Sequence, residues 1–449
     1  MKVMKFGGTS MGNPDAIRQC AELVEREIKL SGQKPLVIVS AYSKVTDKLL
    51  EAAKKSIDND FEKTFNEICE RHTTILKGLE LDEKIGSENL AELKDLLKGI
   101  HMVKEVTPRL KDYVASFGER LSSKTFAALL RKRGLKEAEA FDAYDLGFVT
   151  DSHFENARPL PDTFDKIGAA CKAQKGKLLV VTGFIAKDKN GDITTIGRSG
   201  SDYSASIFGA GIKADEIQVW KDVPGVLTAD PTIVKGGKPL AKLSFEEASE
   251  LAYYGAQVLH PATIVPAMMH GIPVRVLHTF DPDAPGTVIT VKEAGDKSHP
   301  VKSAVYKEDQ VLINVRSERM LGMDGFMARM FGMFERHKVV IDMISTSEVS
   351  VSLTTDTTDA KRLAALKKDL EEIATVEILP DKCIVAIVGE GMKHAVGLAA
   401  RTFTAVARAG VSLQMISQGA SEINITFLIN NSEIPTTIKA LHKEFFGTE

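Results

Sequence analysis

The sequence KFGGTS at residues 5–10 places a lysine, two adjacent glycines and two hydroxyl side chains between a predicted strand and a predicted helix. Residues 3–6 have the apolar character of a short strand, and Asn13-Pro14 is typical of a helix start. Glycines at such a corner let the backbone approach a ligand, and a helix start favours an anion. The stretch matches neither a Walker A loop nor a dinucleotide fingerprint. A tight turn with a solvated lysine is an equally simple interpretation.

The rest of the N-terminal part alternates between apolar strands and helices. Further buried strands are predicted at residues 36–39, 178–181, 216–220 and 273–277. The longest helical region is residues 61–130, with predicted breaks near Gly86 and at Thr107-Pro108. This alternation predicts a mostly parallel sheet with helices on both faces. Ligands of such sheets bind at the carboxyl ends of strands, where KFGG, SAYSKVT, TGFIA and IGRSGSD are expected to lie.

Composition limits the class of protein. A chain of 449 residues is long enough for two or three domains, and a formal charge of −3 argues against nucleic acid as a partner. No apolar run reaches membrane-spanning length, and the polar stretch after Lys5 does not fit a signal peptide. The isolated cysteines suit a reducing compartment and do not have zinc-site spacing. We therefore expect a cytoplasmic protein without a membrane segment.

The C-terminal part contains a repeat. After a predicted strand at residues 287–291, the polar stretch 293–299 predicts a domain boundary. Beyond it, Phe331 and Met343-Ile344-Ser345 recur at an offset of 72 as Phe403 and Met415-Ile416-Ser417. Ser347-Glu348 recurs at an offset of 74 as Ser421-Glu422. Each copy reads as helix, strand, turn, strand, which indicates two small βαββ units forming a regulatory pair. Two copies are too few for a solenoid.

The segment TTIGRSGSDYSAS at residues 194–206 is the second candidate for a ligand site. Glycines flank Arg198 and Ser199, and Ser201-Asp202 then opens a predicted helix, an arrangement suited to a carboxylate or a phosphate. Ser201 and Asp202 could instead simply cap the helix, but capping would not explain the arginine and the glycines.

Other polar residues are ambiguous on their own. Glu119 follows Phe117-Gly118, where a helix break with an exposed first-turn carboxylate is the common situation. Lys221-Asp222 ends a strand, and the following loop with Asp230 could contact a nucleotide or form a plain turn. No Ser-His-Asp spacing or HExxH motif supports a hydrolase. Cations, glycine amides and carboxylates at strand ends together favour phosphoryl transfer with a magnesium ion.

The segments KFGGTS, VTGFI, GRSGSDYSA, VPGV, ADP and GAQVLHPATI, in this order, resemble those of the aspartokinases over essentially the whole chain. The resemblance implies an α/β amino-acid kinase fold at residues 1–295, a mostly parallel sheet sandwiched by helices, followed by two βαββ ACT domains. The first ACT domain, 307–380, is expected to be inserted in the second, 299–306 and 381–449. The implied reaction transfers the γ-phosphoryl group of MgATP to the side-chain carboxylate of L-aspartate, the first step of lysine, threonine and methionine biosynthesis.

The resemblance also implies roles for individual residues. Lys5 stabilises the transferring phosphoryl group, and Asp202 orients Lys5 and metal-bound groups. Glu119 meets the substrate amino group, and Arg198 pairs with its α-carboxylate. The remaining substrate residues are Ser40, Thr46 and Ser201. The nucleotide residues are Gly7, Gly8, Lys221, Asp222, Leu227, Asp230 and Gln257. The effector residues are Met320, Phe326, Asp342, Ser347 and Glu348, with Asp342 facing the ammonium group of lysine, or with threonine as the effector. No protein metal ligand is assigned, and a homodimer or homotetramer through the ACT domains is expected.

The departures from the family pattern lie mostly on the nucleotide side. The family usually has Thr at Lys221, Tyr at Leu227, Arg at Thr232, Lys at Gln257 and Gly at Ser199. Lys221 or Lys235 is a candidate to replace part of the missing positive charge. Two alternatives follow: a kinase of this fold with another amino acid or phosphate donor, or a catalytically weak, amino-acid-binding regulatory paralogue.

Overall fold

The structure is a computed structural model that describes residues 1–255, 259–291, 299–320, 324–419 and 423–447. Gln257, Ser421, Glu422 and most of the predicted linker 293–299 therefore lie outside the described residues. Two compact units are present. The first contains Met1–Val226, Ala241–Phe245 and Val258–Lys292, and the second contains Leu227–Leu240, Glu246–Gln257 and Glu293–Glu449.

The first unit is built on an eight-stranded sheet. The unit contains ten strands among its described residues: β1 (Val3–Phe6), β2 (Leu36–Val39), β3 (Ala138–Phe141), β4 (Leu178–Thr182), β5 (Ile185–Lys187), β6 (Ile193–Thr195), β7 (Ile217–Lys221), β8 (Lys242–Ser244), β9 (Val274–His278) and β10 (Thr287–Thr290). Strands β5 and β6 form a separate hairpin, and the other eight form the sheet. The sheet order is β3-β4-β2-β1-β7-β9-β10-β8, and every pair is parallel except β9–β10. The predicted mostly parallel sheet is confirmed.

Helices flank this sheet, and their starts follow the capping signals in the sequence. They are α1 (Pro14–Ser31), α2 (Val45–Ser56), α3 (Glu62–Gly78), α4 (Ser87–Val103), α5 (Pro108–Lys132), α6 (Thr163–Ala173), α7 (Gly200–Ile212) and α9 (Pro261–Met269). Helix α8 (Phe245–Tyr253) belongs to the second unit, except for its first residue, Phe245. Asn13 accepts a hydrogen bond from the Ala16 amide, and Thr107 accepts one from the Leu110 amide, so each caps a helix that begins with proline. The predicted breaks near Gly86 and Thr107 are confirmed.

Strand β1 lies in the middle of the sheet between β2 and β7, and all four of its residues are buried. The carboxyl ends of β1, β2, β4 and β7 consequently share one edge, as predicted. IGRSGSD differs from the expectation, because it follows β6, and β6 pairs only with β5 in the antiparallel hairpin. Phe184, with φ of 66°, turns the chain from β4 into β5, so the hairpin begins at that same edge.

The second unit contains the repeat. Its elements are β11 (Ser303–Arg316), α10 (Phe326–Arg336), β12 (Ile344–Thr346), β13 (Ser350–Thr355), α11 (Ala360–Leu370), β14 (Thr375–Val388), α12 (Leu398–Arg408), β15 (Met415–Ser417), β16 (Asn424–Asn430) and α13 (Ile434–Phe446). The predicted order of helix, strand, turn and strand is confirmed in the first copy. In the second copy the helix and both strands are confirmed, and the turn lies partly outside the described residues. Each copy ends with a further helix that was not predicted. One antiparallel sheet joins them in the order β12-β13-β11-β14-β16-β15.

The two long strands β11 and β14 are shared between the repeats. The first half of β11 pairs with the second half of β14, from Ser303 opposite Val388 to Lys307 opposite Ile384. The register then shifts, and the second half of β11 pairs with the first half of β14. Strand β13 continues the sheet beside the second half of β11, and β16 continues it beside the second half of β14. Within the described ranges, no helix combines the length and apolarity that crossing a membrane requires.

Candidate active site

A cavity of about 420 Å³ opens at the carboxyl edge of the parallel sheet in the first unit. Its wall brings together all the residues predicted for catalysis and aspartate binding, along with one of the two adjacent glycines: Lys5, Gly8, Ser40, Thr46, Glu119, Arg198, Ser201 and Asp202. Strand β1, the loop after β2, helices α2, α5 and α7, and the loop after β6 each contribute to this wall. Segments that are far apart in the sequence therefore meet around one volume.

Lys5 and Asp202 form a buried ion pair, with 2.6 Å between Lys5 Nζ and Asp202 Oδ1. Lys221 Nζ lies 3.3 Å from the other oxygen of Asp202. Both Lys5 and Asp202 side chains are only 6% exposed, so a solvated Lys5 is ruled out. Burial lowers the pKa of Lys5, against the opposing effect of Asp202. Burial also opposes ionisation of Asp202, yet the two lysines hold its pKa below the usual value.

Two ammonium groups and one carboxylate leave a net positive charge at this end of the cavity. Such a charge, held by a buried carboxylate, is suited to the oxygens of a phosphoryl group. Asp202 lies in the first turn of α7 and its oxygens face the two lysines, so the simple capping interpretation of Asp202 is wrong. The N-cap position belongs instead to Ser199, which has a left-handed φ of 56°. Glycine adopts this conformation without strain, which fits the glycine that the family resemblance implies at this position.

Glu119 lies inside helix α5 and is 3% exposed, so the expectation of a helix break with an exposed carboxylate is wrong. Gly118 allows close packing there, because a Cβ atom on it would lie 2.7 Å from Ala41 Cβ. This approach lets Glu119 Oε1 accept a hydrogen bond of 3.1 Å from the Ala41 amide. Its Oε2 is buried and has no hydrogen-bond partner among the described residues. Burial raises the pKa of Glu119 to about 8.

Arg198 is exposed in the loop between β6 and α7, with its side chain on the cavity wall. Ser40 directly follows β2, and Thr46 lies in the first turn of α2; both line the same cavity. The Ser122 hydroxyl donates a hydrogen bond to the Ser40 carbonyl at 2.7 Å. Lys44 also lines the cavity and was not singled out from the sequence. The sequence feature that pointed to Lys44 was its position within SAYSKVT, directly after a predicted strand.

The predicted nucleotide residues belong to both units. Gly7 follows β1, and Lys221 and the exposed Asp222 lie at the end of β7, all in the first unit. Leu227 and Asp230 belong to the second unit, where Asp230 accepts hydrogen bonds from Thr232 and from the Tyr306 hydroxyl. Lys235 is exposed in the second unit. Of the two candidate replacement cations, Lys221 is thus the one that contacts Asp202.

The predicted effector residues lie in the second unit. The Asp342 side chain is 2% exposed and accepts hydrogen bonds from the Tyr253 hydroxyl and, at 2.9 Å, from Lys307 Nζ. A solvated strand-end Asp342 is therefore ruled out. Phe326 belongs to the core of the first repeat, and Met320 packs against that core. Ser347 and Glu348 are exposed at the turn between β12 and β13, where Ser347 bonds to Ser350.

Comparison with known proteins decides the family. The model of the amino acid kinase family matches residues 1–278, and an ACT domain model matches residues 313–369 and 385–445. Aspartokinase 1, chloroplastic, of Arabidopsis thaliana is 40% identical over 461 residues, which cover 99% of this chain and 80% of that protein. The chain belongs to the aspartokinase family.

Other aspartokinases match over their whole length. The lysine-sensitive aspartokinase 3 of Escherichia coli is 32% identical, with 99% of each chain covered. The crystal structure of E. coli aspartokinase III in complex with aspartate and ADP has a TM-score of 0.86 at 31% identity, covering 99% of this chain and 100% of that one. These findings confirm both the aspartokinase resemblance and the predicted fold class, an amino-acid kinase fold followed by ACT domains.

Proposed function

We propose that the protein is an aspartate kinase, which transfers the γ-phosphoryl group of ATP to the side-chain carboxylate of L-aspartate and forms L-4-aspartyl phosphate and ADP. One observation carries the proposal. The buried, unpartnered oxygen of Glu119 shares a cavity with Arg198 and with the Lys5–Asp202 ion pair, and Lys221 contacts Asp202 at 3.3 Å. A carboxylate, a guanidinium and a fixed positive charge match an ammonium group, an α-carboxylate and a phosphoryl group, respectively.

The proposed mechanism uses this chain mainly for binding and electrostatics. The attacking aspartate carboxylate is already ionised at neutral pH, so no general base is required. One of its oxygens forms the new bond to γ-phosphorus while the bond from γ-phosphorus to the bridging oxygen of ADP breaks. Lys5 stabilises the negative charge on the transferring group, and Asp202 holds the Lys5 ammonium in place through the 2.6 Å contact.

The magnesium ion is part of the substrate complex in this proposal. The described residues contain no group of three metal-ligating side chains. In the proposal, phosphate oxygens and water supply most of the ligands of the ion. Asp202 in the cavity wall and the exposed Asp222 after β7 are the carboxylates proposed to contact it. When bound, the ion supplies charge neutralisation of the triphosphate. ATP contacts are proposed for Gly7, Gly8, Lys221, Asp222, Leu227, Asp230 and Gln257.

The direct test is ATP-dependent formation of aspartyl hydroxamate when the purified protein is incubated with aspartate, magnesium and hydroxylamine. Glutamate as acceptor, and GTP as donor, distinguish a kinase of another specificity. No turnover with any of these pairs, combined with calorimetric binding of lysine, would instead indicate the regulatory paralogue.

The raised pKa of Glu119 gives a pH prediction. Its carboxyl group is protonated in the free enzyme below a pKa of about 8, and only the carboxylate attracts the substrate ammonium. We expect kcat/KM for aspartate to rise about tenfold per pH unit towards pH 8 and then level off. Glu119→Gln should raise KM for aspartate and flatten this profile. A wild-type profile that is flat from about pH 6 to pH 8 would contradict the role of Glu119.

Feedback control by lysine is proposed for the second unit. Asp342 is a buried carboxylate that already holds one ammonium group, that of Lys307, which supports its use for the ammonium of an effector. The E. coli aspartokinase III structure with lysine and aspartate, 31% identical with a TM-score of 0.79, shows that a relative binds lysine. Threonine is the second candidate effector. Met320, Phe326, Ser347 and Glu348 complete the proposed effector site.

Asp342→Ala should raise the lysine concentration for half-inhibition by about tenfold or more, because the effector loses its charged partner. Activity without lysine should persist, since Lys307 retains Asp356 at 3.3 Å. The control is Asp356→Asn, which changes an exposed carboxylate and should leave lysine inhibition nearly as in the wild type. Calorimetry that detects no binding of lysine, threonine or methionine at about millimolar concentration would contradict an effector site.

The domain boundaries 1–295, 307–380, and 299–306 with 381–449 remain proposals. The register shift of β11 after Lys307 supports the nested order. We also propose a homodimer or homotetramer through the ACT domains. Ile344 on β12 and Ile416 on β15 support this, because these equivalent residues are 43% and 48% exposed on the two outer strands of the sheet. A cytoplasmic location is part of the same proposal.

A further inference from the structure

Asp112 is a buried carboxylate that lies outside the cavity wall but on the helix that carries Glu119. It is 1% exposed and lies in α5, seven residues before Glu119. At 3.6 residues per turn, positions seven apart lie on the same face of a helix. Asp112 and Glu119 therefore face the same side of α5, two turns apart.

The Asp112 carboxylate accepts hydrogen bonds from two separate segments. Oδ2 accepts from the Thr195 amide at 2.8 Å, and Oδ1 accepts from the Thr195 hydroxyl at 2.8 Å. The Glu155 amide lies 2.9 Å from Oδ2 and 3.1 Å from Oδ1. All of these partners donate hydrogen bonds, and an ionised carboxylate can accept all of them. In the Asp112→Asn variant, an NH₂ group would replace one of the two oxygens and would face a backbone N–H group, which is also a donor.

These two segments support the loop that carries Arg198. Thr195 ends β6 three residues before Arg198, and its carbonyl accepts a 2.9 Å hydrogen bond from the Ala157 amide. Asn156 lies directly against Gly197, because a Cβ atom on Gly197 would be 2.7 Å from Asn156 Oδ1. The base of the Arg198 loop is thus fixed, while Arg198 itself is exposed.

We propose that Asp112 is a positioning residue for aspartate recognition, because its carboxylate ties the base of the Arg198 loop to the helix that carries Glu119. Helix α5 then sets the spacing between Glu119, which binds the substrate ammonium, and Arg198, which binds its α-carboxylate. The inference rests on the proposed roles of Glu119 and Arg198. Holding both groups in place before binding lowers the entropy cost of ordering the loop around the substrate.

The test is steady-state kinetics of Asp112→Asn. We expect KM for aspartate to rise about tenfold, with kcat and KM for ATP changed by less than about threefold. Thr195→Val removes one of the four hydrogen bonds and should raise KM for aspartate less, whereas Thr195→Ser should restore it. These two variants decide the question if Asp112→Asn does not fold. Arg109→Ala is the control, because the exposed Arg109 joins the same helix and hairpin only through its ion pair with Asp192, at 2.8 Å.

A double-mutant cycle separates positioning from a general structural role. In the Arg198→Ala background, Asp112→Asn should change KM for aspartate by less than about twofold, since its effect acts through Arg198. An equal rise of KM in both backgrounds would overturn the proposal. So would a lower melting temperature without a change in KM, or equal effects of the valine and serine variants at Thr195. If Arg198→Ala itself left KM unchanged, the proposed role of Arg198 would fail instead.

Discussion

Replacing Lys5 with alanine is expected to lower kcat by at least about 100-fold, the usual cost of removing a preorganised charge from a reacting centre. The fold should survive, because Asp202 keeps Lys221 as a partner at 3.3 Å and is not left as an unpaired buried charge. KM for aspartate should change little, since Glu119 and Arg198 bind its amino and carboxylate groups in the proposed mechanism.

The measurement is kcat by the hydroxamate assay, together with a thermal melt. The matched control is Lys44→Ala, which removes a different lysine from the same cavity wall and should leave most of kcat. A folded Lys5→Ala enzyme that keeps more than about a tenth of the wild-type kcat would contradict the assigned role.

Replacing Arg198 with alanine is expected to raise KM for aspartate by about 30- to 150-fold, which corresponds to about 2–3 kcal/mol for a bidentate guanidinium–carboxylate pair. KM for ATP should stay close to its wild-type value. Stability should not change, because the Arg198 side chain is exposed in the free protein.

Arg198→Lys is the informative companion variant. It keeps the charge but loses the planar fork, so KM should lie between the wild-type and the alanine values. If KM for aspartate rose less than about twofold in Arg198→Ala, the arginine would have another function. A rise in KM for ATP instead would assign it to the nucleotide.

The fold was predictable where burial leaves a simple pattern. Strands β1, β2 and β4 are buried along their whole length, and β2 and most of β4 appear as continuous apolar runs. The starts of α1 and α5 carry a capping residue followed by proline. Strands β3, β5 and β6 were not predicted. They are only three or four residues long, and β3 and β6 are partly exposed.

The site was predictable only in part, for a related reason. Lys5 lies near the end of β1, two residues before Gly7, and Arg198 directly follows Gly197 after β6, so both have a local signal. Glu119 has no local signal, because its meaning depends on burial against Ala41, a contact between residues 78 positions apart. Asp112 is similar, since its hydrogen-bond partners lie 43 and 83 positions away. Pairing across such distances is a property of the folded chain and not of any short stretch.

The shared strands β11 and β14 have a consequence for synthesis on the ribosome. The chain emerges from its N-terminus, so the first repeat is complete before residues 384–388 exist to pair with residues 303–307. Until then, the start of β11, including the fully buried Ala304, has no strand partner in β14. An unpaired apolar strand is a site for association with other chains. A nascent chain that stalls near residue 380 is thus at greater risk of aggregation than one that stalls after residue 430, where β16 is complete.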